Sequence, residues 1–235
     1  MIEISQNILN KFIVREDYLE WINKETSIIA YLDLTNMFHW QSVLGWQFRI
    51  EDVVKQLFTF SNIKEVKIYY GFNPRDEKNS EAFHDRIKKS GAILKTKPMK
   101  FIPKTIEEGM FFQRKTLSLF TDPIKEKINE LMKELQKLGT TIEEPKCNFD
   151  VEMAMDMLDD SEKVTAVMLF SGDSDLKMPL ERLKIKGKKI GVVGVRGRVA
   201  GELLEIKNLY IDFGKFYTGK RSYKSENPAK AGPRD

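Results

Sequence analysis

Three short acidic segments carry the side chains best suited to chemistry. Asp33 closes an apolar run in LDLTN, Asp150 stands in KCNFDVEMAMD, and Asp173 and Asp175 lie in SGDSD, Ser171 to Asp175. Like charges packed within ~4–6 Å raise one another's pKa, so such a cluster stays ionised only beside a cation. An all-oxygen donor set suits a hard ion, Mg²⁺ or Mn²⁺. Such an ion polarises phosphate oxygens and lowers the pKa of water, and the reaction class that follows is metal-assisted phosphodiester hydrolysis. No side-chain nucleophile is required. Taken singly, each segment has a plainer reading: Asp33 as the cap of a turn, and GDSD as a tight turn. What favours the metal is their coincidence where the sheet's backbone does not require acids.

Other residues fall beside these. Asn36 is placed to contact water or a phosphate oxygen, or else to form an Asx-turn. Ser174 is a hydrogen-bond donor to the bound groups or a shaper of its turn. Lys146 is a phosphate contact or an exposed lysine. Glu152 and Asp156, four apart on one helix face, point to the site or to solvent. Asp159 and Asp160 read as a solvated helix end.

The elements that must position these residues alternate. Strands are expected at Ile28–Leu34, Val66–Tyr70, Ala92–Lys97, Thr165–Phe170, Lys189–Val195 and Leu209–Phe213. Helices are expected at Glu51–Phe60, Glu77–Ser90, Pro123–Leu138, Val151–Leu158 and Met178–Ile185, from apolar spacing. Pro123 suits a first helical turn, and Gly139 ends that helix. This alternation predicts an α/β three-layer domain with a mostly parallel central sheet. In such sheets ligands bind outside the carboxyl ends of the strands, where Asp33 and Asp173 fall. Residues 28–213 form this domain. Residues 1–27 read as a helical N-terminal extension, and residues 214–235 as a flexible basic tail.

Composition bounds the rest. The 235 residues are 41% apolar and 31% charged, enough for a real core. No run approaches the ~18 apolar residues of a membrane span, and no secretory leader is visible. A single cysteine excludes an intrachain disulfide framework. The expectation is an intracellular, cytoplasmic protein whose oligomeric state, homo-oligomer included, is open. The net charge of +4 is unevenly laid out. Arg86 to Lys104 and Arg182 to Arg198 each hold seven basic and no acidic residues, whereas Asp150 to Glu162 holds six acidic and no basic ones. A polyanion held beside a metal site fits that pattern.

The segments YLDLTN, KCNFDVEMAMDML and VMLFSGDSDLKMPL, in this order, resemble the NYN domain, a branch of the PIN-like nuclease superfamily that includes LabA-like proteins. Its Asp–x–x–Asn is matched by Asp33 and Asn36. Its Lys–Gly–Val–Asp–Val is matched by Lys146, Asp150 and Val151, with Asn148 and Phe149 departing. Its Ser–Gly–Asp–Ser–Asp–Phe is matched by Ser171 to Asp175, with Leu176 departing. The resemblance implies a Rossmann-like PIN fold and a Mg²⁺- or Mn²⁺-dependent ribonuclease. It makes Asp33, Asp150 and Asp173 metal ligands, with Asp175 and Asn36 completing the site. RNA, single-stranded, is then the expected partner. Basic grooves with aromatic platforms grip such strands. Lys97 and Lys100 lie in a basic, Phe-rich stretch of that kind, and Phe38, Trp40 and Trp46 are a second candidate platform. The rival is an RNA-binding or scaffold protein with a feeble acidic site. A phosphatase with a covalent aspartyl-phosphate wants a second Asp two residues after the first, where Thr35 stands. A dinucleotide-binding loop is excluded by the glycine spacing of Gly191 to Gly197.

Overall fold

Ile28–Asp33 (β1) and Ala166–Phe170 (β7) are continuous apolar runs, and such runs are stable only where both faces of a strand are covered. They pair in parallel at the centre of a six-stranded sheet. The computed structural model describes residues 18–105 and 121–223. On the other side of β1 lie Ile63–Phe72 (β3) and Ile93–Pro98 (β4). Beyond β7 lie Lys189–Gly194 (β8) and Leu209–Asp212 (β9). The order is β4-β3-β1-β7-β8-β9, with β1·β3, β1·β7, β7·β8 and β8·β9 all parallel. Chain order therefore reverses direction between β1 and β7, and a crevice opens at such a switch point.

Helices cover both faces. Even-numbered residues of β1 (Ile28, Ala30, Leu32) join a wholly apolar core. It includes Met37 and Trp40 of Leu34–Leu44 (α2), Val53, Val54 and Leu57 of Ile50–Leu57 (α3), and Ile22 of Tyr18–Lys24 (α1). Glu77–Lys89 (α4) follows β3 and buries Ile87. The odd-numbered face meets Asp150–Asp159 (α6) and carries polar groups. Tyr31 donates to Asp160 Oδ2 at 2.9 Å, and Lys67 of β3 pairs with the same carboxylate. Tyr69 donates to Asp156 Oδ2 at 2.6 Å, and Lys95 Nζ reaches that oxygen at 3.3 Å. Lys97 pairs with Glu152. Glu152, Asp156 and Asp160 thus recur every four residues, and each meets a lysine from β3 or β4. Lys177–Ile185 (α7) and Gly201–Ile206 (α8) complete the connections around β8. No helix among the described residues is long and apolar enough to cross a membrane.

Within the 28–213 stretch, residues Pro98–Cys147 form a separate compact unit. It pairs Lys100–Thr105 (β5) antiparallel with Thr141–Lys146 (β6) and carries Asp122–Lys137 (α5). Pro123 does sit in the first turn of α5, and Gly139 follows its end at φ +67°. These two strands, rich in Lys, Glu and Pro, lack the apolar signal of the main sheet and carry no strand signal in the sequence.

Several expectations are corrected. Leu34 opens α2 instead of ending β1, because Asp33 caps that helix. Trp40 and Trp46 are buried, so they form no exposed platform. Asp160 is only 2% exposed, because its carboxylate is taken up by Tyr31, Lys67 and Lys163. The expected mobile tail does not begin at residue 214. Phe216 and Tyr217 are core residues, Phe213–Phe216 (α9) is helical, and Ser222–Tyr223 (β10) pairs with Trp46–Gln47 (β2). Residues 224–235, and 1–17 of the extension, lie outside the described residues.

Burial alone would raise the Asp160 carboxyl, but hydrogen bonds from Lys67, Lys163 and Tyr31 outweigh it and hold the group below the usual range. A carboxyl lowered on folding stabilises above its unfolded pKa of ~3.9. That contribution is lost as pH falls through the lower folded value. Asp160→Ala leaves Lys67 buried and unpaired and is expected to cost about 3–5 kcal/mol in urea unfolding at pH 7. The difference between Asp160→Ala and the unmodified protein should shrink progressively below about pH 4. A constant difference down to pH 2 would refute this assignment.

Candidate metal centre

The carboxyl ends of β1 and β7 are laced together by side chains in the loops that follow. Asp33 ends β1 in an extended conformation (φ −78°, ψ 92°) and caps α2, its Oδ1 accepting from the Asn36 backbone N–H at 3.0 Å. Its Oδ2 accepts from the Ser171 hydroxyl at 3.0 Å. Ser171 is fully buried one residue past β7, and its Oγ also accepts from the Asp173 N–H at 3.2 Å. Asn36 Oδ1 accepts from Trp40 Nε1 at 2.9 Å and from the Gly172 N–H at 3.1 Å. The buried Trp40 indole therefore fixes the Asn36 amide, and that amide fixes the loop carrying Asp173.

Asp173 repeats the capping device on the next loop, its Oδ1 accepting from the Asp175 N–H at 3.0 Å. Ser174, Asp175 and Leu176 form a short 3-10 turn. Gly172 is required by close approach. A Cβ there would stand 1.8 Å from the Arg198 carbonyl oxygen, and its own carbonyl accepts from the Ala200 N–H at 3.0 Å. The loop after β8, with Arg196 and Arg198 exposed, is thereby pressed against the loop after β7.

Asp150 arrives from the other direction, as the first residue of α6. Its N–H donates to Asn148 Oδ1 at 2.7 Å. Phe149 packs edge-on against Tyr69, with centroids 5.9 Å apart, while the Lys97 ammonium lies 4.6 Å from the Phe149 ring centre. Tyr69 is the register partner of Asp33 across β1·β3. The aromatic at 149 thus has a structural use.

Asp150, Asp173 and Asp175 each place one carboxylate oxygen within 4.8 Å of the other two. This grouping differs from the expected ligand set. Asp33 is not one of the three, and Asp175 takes its place. Asp33 is still their neighbour electrostatically. Burial raises its carboxyl most, the Asn36 and Ser171 bonds oppose this, and Asp150 and Asp173 raise it further. Asp150 is likewise raised, first by burial, with Asp173, Asp175 and Glu152 adding to it and Asn148 opposing. Three oxygen donors of like charge so grouped could hold a hard divalent cation.

The remaining expected residues separate. Asn36 spends its Oδ1 on Trp40 and Gly172, and so holds the loops together. Ser174 is exposed on the 3-10 turn. Lys97 pairs with Glu152 on the α6 face. Lys100 and Lys146 face each other across β5·β6 in the second unit, both exposed. Ser171 bridges Asp33 and Asp173, a role that its motif alone does not reveal. The signal was its place directly after an apolar strand. The second basic block divides between the two ends of the sheet. Lys186 bonds Ser161 and Glu162, whereas Arg196 and Arg198 follow the carboxyl end of β8.

A model of the NYN domain matches residues 27–214. The low amplitude and bright protein LabA of Synechococcus elongatus is 25% identical over 189 residues, covering 80% of this chain and 84% of that protein. The crystal structure of a Vibrio parahaemolyticus protein of unknown function has a TM-score of 0.55 at 16% identity. It covers 82% of this chain and 96% of that one, and shares the fold.

Gly172→Ala should force the Arg198 backbone away and lower stability by about 1–3 kcal/mol, read by urea unfolding. Gly201→Ala, where an added methyl meets nothing within 4 Å, serves as the control and should change stability far less. Equal effects of the two would show that the packing of these loops is not the constraint inferred.

Proposed function

This chain belongs to the NYN domain family, and on that footing we propose that it hydrolyses phosphodiester bonds of single-stranded RNA with a divalent metal ion, cutting as an endoribonuclease. The observation that carries the reading is the convergence of Asp150, Asp173 and Asp175 at the carboxyl edge of the sheet, beside Asp33. The family groups with PIN-like nucleases, and the oxygen-only donors fit Mg²⁺ or Mn²⁺.

Asp150, Asp173 and Asp175 would hold the ion, with Asp33 completing the negative shell. When bound, such an ion polarises a phosphate oxygen and makes water more acidic. Asp33 has its orientation fixed by Asn36 and Ser171, which keeps its carboxylate beside the other three. Asn36 positions both catalytic loops. Ser174, exposed on its turn, is assigned to a phosphate oxygen. Arg196 and Arg198 offset the negative charge of the substrate at the same edge. Lys97 steadies Phe149 beside Asp150. For Lys100 and Lys146 we propose contacts to the RNA backbone, in which lysines act as mobile point charges.

Asp173→Asn removes one charge with little change of shape. It should lower cleavage of a labelled single-stranded RNA at least about 100-fold, since the cation supplies several kcal/mol of transition-state stabilisation. RNA binding should survive, and EDTA should abolish cleavage by the unmodified protein. Cleavage by the variant at the unmodified rate would displace the site. RNA binding without cleavage at any Mg²⁺ or Mn²⁺ concentration would favour a binding protein. Separately, Lys100→Glu with Lys146→Glu should weaken RNA binding and flatten its dependence on salt. Unchanged affinity would remove that strand pair from the substrate path.

A further inference from the structure

On the face of the sheet covered by α2, α3 and α4 is a cleft that the cleavage chemistry does not use. It has a volume of about 420 Å³ and is lined by Phe38, Phe48, Arg49, Glu51, Phe83 and Arg86. Its position follows from the elements. Phe38 lies five residues past Asp33 on α2, about 7 Å along the helix axis. It meets Tyr70 edge-on at 6.0 Å, and Tyr70 directly follows the residue paired with Asp33. Tyr70 points to the face opposite Tyr69, so the cleft lies toward the carboxyl ends of β1 and β3 but on the side of the sheet away from α6.

Its lining is mixed, with half-buried rings packed on the core beside paired charges. Phe48 belongs to the core, but Phe38, stacked against it at 6.2 Å, and Phe83 are only half-buried. Phe83 packs on Tyr70 at 4.9 Å, and the Arg86 guanidinium lies over its ring at 5.5 Å. Glu51, 9% exposed, accepts from Arg86 Nε at 3.0 Å and lies 3.7 Å from Arg49. One buried carboxylate thus orients two guanidinium groups, whose side chains remain 53% and 66% exposed. The rim keeps one positive charge in excess. Aromatic surface next to such a charge, in a cleft of the size small ligands occupy, matches a nucleotide: a flat base and an anionic phosphate.

We propose that this cleft is a base subsite, holding one unpaired base of the RNA against Phe38 and Phe83 with its phosphate directed to Arg49 and Arg86. This rests on the reading of the chain as an RNA-cleaving protein, and it gives that reading its preference for single strands: a base must leave its stack to enter. The subsite would anchor a nucleotide flanking the scissile bond, so its loss should act on KM and cleavage position and leave kcat nearly unchanged.

The test measures binding and cleavage separately. A short fluorescein-labelled oligoadenylate is titrated by anisotropy in EDTA, where cleavage is silent, and then cleaved in Mn²⁺. Phe38→Leu keeps apolar volume but removes the stacking face, and Arg86→Ala removes a rim charge without entering the core. Thermal melts confirm that both variants are folded. Phe38→Leu is expected to weaken binding by about five- to a hundred-fold and to scatter the cleavage positions. Phe38→Tyr should restore both. Arg86→Ala should weaken binding and reduce its salt dependence. Unmodified affinity and cleavage pattern in folded Phe38→Leu and Arg86→Ala would overturn the subsite. Failure of the unmodified protein to cleave, with the binding losses present, would instead count against the nuclease reading alone. No binding by the unmodified protein would overturn the subsite as well.

Discussion

Carboxylates held together repel. Two unit charges about 4 Å apart oppose one another by roughly 1 kcal/mol in water and 4 kcal/mol at an effective dielectric of 20. The site gathers three aspartate oxygens within 4.8 Å, with a fourth aspartate alongside. Without a cation, the chain itself must resist that repulsion. Its means are local: Asp33 and Asp173 are tied down by the backbone N–H groups of the turns they cap, and Ser171 bonds both loops. Trp40 extends this control into the core, because its indole fixes the amide that fixes Gly172.

Asp150 cannot be held in this manner, since it comes from a helix and not from a strand end. Its position depends on how α6 lies on the sheet. The contacts there are ionic at three successive turns, from Glu152 through Asp156 to Asp160, and they deepen toward the buried Lys67–Asp160 pair. Met153 and Met157 supply the apolar part of the same helix face. A helix resting on apolar contacts alone can slide by small steps, because such contacts are not directional. Paired charges with hydrogen-bonding tyrosines define one register. The acidic run from Asp150 to Glu162 therefore serves two ends: its first residue faces the proposed cation, and most of the rest fastens the helix.

Much of this was legible in the sequence because the central strands are buried on both faces and read as unbroken apolar runs. The order of the elements followed from those runs, and with it the place of Asp33 and Asp173 past strand ends; Asp150 is read from the start of its helix instead. The short 3-10 turn at Ser174 and the capping of α2 were less visible, since caps and turns share residue types with ligands. Asp160 was misjudged because a charge near a helix end reads as solvated; its partners Tyr31 and Lys67 come from strands far away in sequence. The paired strands of the second unit have no apolar alternation, and Phe216 and Tyr217 lie in a stretch dominated by basic and small residues. Long-range pairing leaves no local periodicity to detect.

The central claim is that Asp150, Asp173 and Asp175 hold a divalent ion at the β1–β7 switch point. The most direct measurement is a crystal of the protein soaked in Mn²⁺, with anomalous difference density collected near the manganese edge. The account expects a peak among those three carboxylates, absent in Asp173→Asn crystals treated in the same manner. Well-diffracting crystals with no peak there, or with manganese bound only elsewhere, would contradict it.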